Sequence, residues 1–251
     1  MASNNTLNDK LADDTGAPST VQDAGLRAYM LRIYNYMVGG LALTGGVAFL
    51  TAQTPELLNA MYSVGSDQAV AMKPLGWVIM LAPLGVVIYL SFGLKSMSLG
   101  AAQLSFWAYA ILIGLSLAVI FLGYAGADIA RVFFITAVTF AGMSLYGYAT
   151  RRDLTSLGSF LFVGLFGIII ASLVNMFLQS SAMQFALSVL GVVVFVGLTA
   201  FDTQKLKRLY AEMGSDGEWA SKVAVMGALT LYLDFLNIFL FLLRLMGNRK
   251  N

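Results

Sequence analysis

Two aspartates are the residues of this sequence best placed to do chemistry. Asp202 lies in Thr199-Ala200-Phe201-Asp202-Thr203-Gln204-Lys205, and Asp234 in Leu231-Tyr232-Leu233-Asp234-Phe235-Leu236-Asn237. Asp234 sits at the middle of an apolar run, where a carboxylate costs about 2.5–3.5 kcal/mol to insert into a membrane. Such a residue normally faces a cavity or a partner and marks a functional site. Asp202 is at the end of another apolar run, a place where a carboxylate can also simply face water. Asn237, three residues after Asp234, projects from nearly the same helix face. Asn175 is a second amide in an apolar run that needs a partner, and with Asn237 it is a candidate supporting polar residue for the aspartates.

What these groups could do is bounded by what is missing. The chain has no cysteine and no histidine. That removes disulfides, thiolate metal sites, Ser-His and Cys-His catalysis, HExxH zinc chemistry and imidazole ligation of haem. Any titration near neutral pH falls to perturbed carboxylates or the N-terminal amine. No GxGxxG or Walker pattern is present. A rhomboid-like protease lacks its histidine here, and segment 224–243 has no lysine for a retinal Schiff base. The residues point to handling protons and cations, with no enzyme activity and no cofactor.

The elements that must position these residues are membrane helices. Of the 251 residues 59% are hydrophobic and only 11% charged, with a mean hydropathy of +0.78. A soluble domain would carry about 25% charged residues. Apolar runs long enough for roughly 30 Å of hydrocarbon recur near 33–53, 75–94, 103–123, 131–150, 157–178, 183–203 and 224–243. They are continuous rather than alternating, which excludes a barrel. The fold class is all-α, a polytopic membrane protein. Glycines inside the spans (Gly39, Gly40, Gly45, Gly46, Gly164, Gly167) suit close helix packing. Trp77, Trp107, Tyr29, Tyr34 and Tyr36 fall near span ends, as an interfacial belt would. Residues 1–30 read as a disordered polar cytoplasmic tail: Asp9, Asp13, Asp14 and Asp23 oppose Lys10 and Arg27, without the layout of a signal peptide. Residues 31–247 form the membrane domain and 248–251 a short tail.

Lysine and arginine set the orientation. With the N-terminus cytoplasmic, inner segments hold Lys10, Arg27, Arg32, Lys95, Arg151, Arg152, Lys205, Lys207, Arg208 and Lys222, and outer loops only Lys73 and Arg131. The expected location is the plasma (inner) membrane. Net charge of +2 gives no reason to expect nucleic acid. Arg151-Arg152-Asp153 and Lys205-Lys207-Arg208 read as anchors at the membrane face. Seven full crossings place Arg244, Arg249 and Lys250 outside, against the rule, whereas a re-entrant last segment keeps them inside. Segment 224–243 holds twelve Leu, Ile, Val or Phe residues against Asp234 and Asn237. That balance suits a core element wrapped by other helices.

The run AFDTQKLK (Ala200 to Lys207), a loop, then ALTLYLDFLNIFLFLLRLMG (Ala228 to Gly247) resembles the C-terminal signature of the Bax inhibitor family. The chain looks like a bacterial member of these transmembrane Bax-inhibitor-motif proteins, from about Tyr29 to Gly247. The resemblance implies seven full crossings, with the last helix central and surrounded by the other six. It also implies a pH-sensitive calcium leak in which the sixth- and seventh-helix aspartates, Asp202 and Asp234, form a hydrogen-bonded pair. Some members latch the last-helix aspartate with an arginine at the cytoplasmic end of the second helix, where this chain offers Lys95. Two carboxylates that share a site cannot both ionise cheaply, so a pair can hold one proton between them. Loss of that proton adds repulsion and can recruit a cation. Calcium prefers oxygen ligands, which Asp202, Asp234 and Asn237 supply. The rival readings are a proton-coupled transporter on the same carboxylates, and a regulatory membrane protein acting on membrane-protein partners in stress or protease control.

Overall fold

The computed structural model describes residues 17–64, 70–213, 217–248 and 250. Lys10, Arg249 and the acids of residues 1–16 lie outside them. In chain order the elements are α1 (Ala17–Ala52), α2 (Pro55–Met61), β1 (Tyr62–Val64), β2 (Val70–Met72), α3 (Pro74–Gly93), α4 (Leu99–Leu117), α5 (Ile120–Gly123), α6 (Gly126–Ala149), α7 (Thr155–Leu178), α8 (Ser181–Met213) and α9 (Glu218–Met246). Among the described residues seven helices are long and apolar enough to cross a membrane: α1, α3, α4 with α5, α6, α7, α8 and α9. Proline opens α2 and α3, where its missing N–H costs nothing. Ser98 caps α4 by accepting from Ala101 N. The antiparallel β1–β2 pair, Tyr62 opposite Met72, forms the connection between the first two spans.

Helix α1 begins at Ala17, so residues 17–30 are not the disordered segment their polarity suggests. Tyr29 and Met30 are buried, and Tyr29 stacks on Tyr210 of α8 at 5.1 Å instead of joining an interfacial belt. Outward faces carry large apolar side chains, as walls in contact with lipid do; Phe177 is 82% and Phe92 86% exposed.

Helix α9 is the most buried of the seven and forms the centre of the bundle. It packs on α1, α4, α6 and α8. Of the six surrounding helices expected from the resemblance, these four carry the main packing on α9, while α3 lies chiefly against α4 and α7 against α8. Of the glycines singled out in sequence, Gly39 and Gly40 meet Trp107 and Phe106, whereas Gly45, Gly46 and Gly167 face open space. The tightest approach is elsewhere. A Cβ on Gly147 of α6 would run into the Ala200 carbonyl of α8.

The ends of the bundle sort by contact. At one end Arg32 donates to Ser221 Oγ (2.7 Å), Leu99 N to Glu218 Oε1 (3.1 Å), and Arg208 to Asp153 (2.9 Å). At the other, the Asn248 N–H donates to Asp128 Oδ2 (3.3 Å) and Lys250 donates from N and Nζ to Gly123 O and Phe121 O (2.9 Å each). With 29 residues, α9 is about 44 Å long and runs the whole way between these ends. It is a full crossing, not a re-entrant segment, and Lys250 lies on the side of Lys73 and Arg131.

Candidate functional site

Asp202 and Asp234 are carried by the two helices that pack most extensively on each other, antiparallel α8 and α9. Register is set by small-against-large pairs: Phe241 rests on Gly191, and Leu206 on Gly227. In that register the residue across from Asp202 lies less than one turn before Asp234, which brings both carboxylates to one level. They are 5% and 4% exposed. Both line one cavity of about 740 Å³, bounded by α7, α8 and α9, together with Lys205, Thr230, Asn237 and Ser172. Oδ2 of Asp234 is fully buried and has no hydrogen-bond partner among the described residues. An oxygen left in that condition costs about 1–3 kcal/mol, more if charged.

Asn237 reaches the cavity with its amide nitrogen tied down, donating to Leu233 O (2.8 Å). Its oxygen is the end available to a guest. Thr230 likewise spends its proton on Met226 O (3.1 Å) and keeps its lone pairs. The cavity therefore offers two carboxyls, an amide oxygen, a hydroxyl oxygen and one ammonium. Among the described residues no three of His, Cys, Asp and Glu gather into a cluster that could hold a metal.

Two sequence-proposed residues lie elsewhere. Asn175 is half-buried at the last turn of α7, where its Oδ1 accepts from Ser180 N (3.1 Å); it is a helix-end cap, not a cavity residue. Lys95 is exposed beyond the end of α3, which packs on α4 and not on α9, so a latch onto Asp234 has no route. The cation that lines the cavity is Lys205, one turn beyond Asp202. A lysine at a span end ordinarily serves as an anchor; the i, i+3 spacing from Asp202 is the sequence signal that sets Lys205 apart.

The remaining polar residues around Asp202 fasten α8 to its neighbours. Thr203 donates to Thr199 O (2.8 Å) and meets Ser144 Oγ (2.9 Å), which in turn meets Tyr34 Oη (2.6 Å). Gln204 clasps the α6–α7 connection from both sides: Oε1 accepts from Leu154 N (2.9 Å), and Nε2 donates to Arg152 O (2.8 Å). Lys207 donates to Tyr148 O (3.0 Å), and Arg208 to Asp153 and Thr155. The AFDTQKLK run is thus a strip of one helix that sends a carboxyl into the cavity and ties its other faces to α6 and the loop after it.

A seven-helix bundle with lipid-facing apolar walls and two buried acids on adjacent helices defines a polytopic membrane protein. Residues 26–251 match the family described as "Inhibitor of apoptosis-promoting Bax1". Relatives agree along nearly their whole length. An uncharacterized protein of Rickettsia prowazekii is 50% identical over 91% of this chain and 93% of its own length. Inner membrane protein YbhL of Escherichia coli K12 is 44% identical over 90% and 94%, and an uncharacterized protein of Caulobacter vibrioides 41% over 91% of each. The chain belongs to the Bax inhibitor family.

Proposed function

We propose that this protein is a proton-gated cation leak of the inner membrane, N-terminus cytoplasmic, with calcium as its preferred ion. The observation that carries the reading is the convergence of Asp202 and Asp234 on one cavity, with an oxygen of Asp234 that has no hydrogen-bond partner among the described residues. A proton held between the two carboxyls removes one charge and joins α8 to α9. Its loss leaves two like charges in a weakly polar site, which push the helices apart or draw in a cation. Calcium fits the oxygen-only donors, two carboxyls with the Asn237 and Thr230 oxygens. So few ligands suit a passing ion better than a stored one, because calcium at rest takes six to eight oxygens. Lys205 at the same cavity supplies a tethered positive charge that moderates entry.

The test is calcium flux into liposomes carrying the purified full chain, across about pH 6 to 8. Flux rises with pH, because deprotonation breaks the link. Asp202→Asn keeps a donor and an acceptor but removes a titrating group, and it flattens that dependence. An unchanged profile in Asp202→Asn overturns the gate. Proton flux that follows an added solute assigns the carboxylates to a transporter instead.

A further inference from the structure

On the opposite side of α9 from the acid cavity lies a second, larger space of about 790 Å³. It runs between α1 and α6 and is floored by Phe235 of α9. The two walls are not packed side by side; they meet through Tyr34 and Ser144. Its lining is apolar apart from four residues: Arg27 at the mouth, Tyr148 on α6, and Tyr34 and Ser144, whose hydroxyls lie part of the way in. Those hydroxyls bond each other, and Ser144 also meets Thr203, so they ask nothing of an occupant. Lys207 places a second cation behind the mouth: its Nζ is 5.2 Å from the centre of the Tyr148 ring, and Tyr148 lines the groove.

Length and charge select the guest. From Arg27 to Ala42, along α1, the groove covers sixteen residues, about 23 Å of helix. One leaflet of hydrocarbon is about 15 Å deep, which leaves room for a headgroup beside Arg27. A bilayer-spanning partner would need twice that depth. An extended acyl chain is the shape that fits, and the arginine-bearing end selects negative charge for its head. The geometry points to a resident anionic glycerophospholipid, its acyl chain between α1 and α6 and its phosphate at Arg27.

The site stands apart from the acid cavity, and its test does not depend on ion flux. The purified full chain is incubated in detergent with equal amounts of phosphatidylglycerol and phosphatidylcholine, and bound lipid is counted by native mass spectrometry. Wild type retains one phosphatidylglycerol in preference to phosphatidylcholine. Arg27→Gln lowers that preference about fivefold, the weight of one surface cation facing an anionic lipid. Arg151→Gln, at the same end but off the groove, leaves it unchanged. Ala141→Trp fills the groove and removes the bound lipid of either kind. If that variant fails to fold, the contrast between Arg27→Gln and Arg151→Gln decides alone. Equal retention of the two lipids by wild type, or equal losses in the two arginine variants, overturns the proposal. Because the chain has no cysteine, Val38→Cys and Leu145→Cys give unique probes of the groove walls. Disulfide-linked dimers from both, insensitive to added lipid, assign the groove to a second copy of the chain and also overturn it.

Discussion

Asp153 and Asp202 are alike in type and unlike in setting: one is bathed in water and the other is walled in by helices. Asp153 is exposed and accepts from the Thr155 N–H (2.9 Å) and hydroxyl (2.6 Å). Those bonds, with Arg208 beyond them, hold its carboxyl below the usual carboxylate range. A carboxyl depressed in the folded state adds its stability above the unfolded value and loses it as pH falls through the folded one. Through about pH 6 to 8 Asp153 is therefore fully ionised and constant. Asp153→Asn is expected to leave the pH profile of calcium flux unmoved, while Asp202→Asn flattens it. Lys205→Gln is expected to raise calcium entry at fixed pH by removing a repelling charge, read as initial flux in the same liposomes. Asp202 and Asp234 were legible in the sequence because an acid in an apolar run carries a cost that folding must justify. Asn175 was misread for a related reason: one turn separates a span interior from its capped end, and hydropathy does not resolve one turn.

At the scale of elements, the clasp made by Gln204 fixes α8 against the connection between α6 and α7. Gln204→Leu leaves the Leu154 N–H and the Arg152 carbonyl without side-chain partners, at about 1–3 kcal/mol for each group that stays buried. A lower melting temperature in detergent is the expected result, with the pH midpoint of flux retained. Gly147 makes the companion prediction. Its missing side chain lets α6 lie against the Ala200 backbone, two residues before Asp202. Gly147→Val forces those helices apart, and is expected to cost a few kcal/mol, in the range of overpacked cores. Helix count, the approximate spans and the central place of α9 could be read from apolar runs and from Asp234. The start of α1 could not, because polar residues with good helix propensity look the same whether they fray or stack on a neighbour such as Tyr210. The loss of Lys95 as a latch is equally hidden, since it depends on α3 packing outside α4, a choice no local pattern records.

At the scale of the molecule, the two ends of the bundle differ in charge and in construction. One carries Arg27, Arg32, Arg151, Arg152, Lys207 and Arg208; the other holds the β1–β2 pair and the Asp128, Asn248 and Lys250 contacts. A reporter fused after Asn251 is expected to read on the side opposite the loop at residues 150–154, and a reporter in that loop on the arginine-rich side. A shared side would undo the full crossing of α9.

The length of three helices has a mechanical consequence. Helices α1, α8 and α9, of 36, 33 and 29 residues, measure about 54, 50 and 44 Å, against roughly 30 Å of hydrocarbon. Their surplus gathers at the arginine-rich end, where Tyr29 stacks on Tyr210 and Arg32 holds Ser221. Two of the three rods carry the acids, so this collar is a lever outside the bilayer whose short arm ends at Asp202 and Asp234. A grip that twists the collar, from an antibody fragment or a neighbouring protein, turns the rods and changes the spacing of the carboxyls without ever entering the membrane.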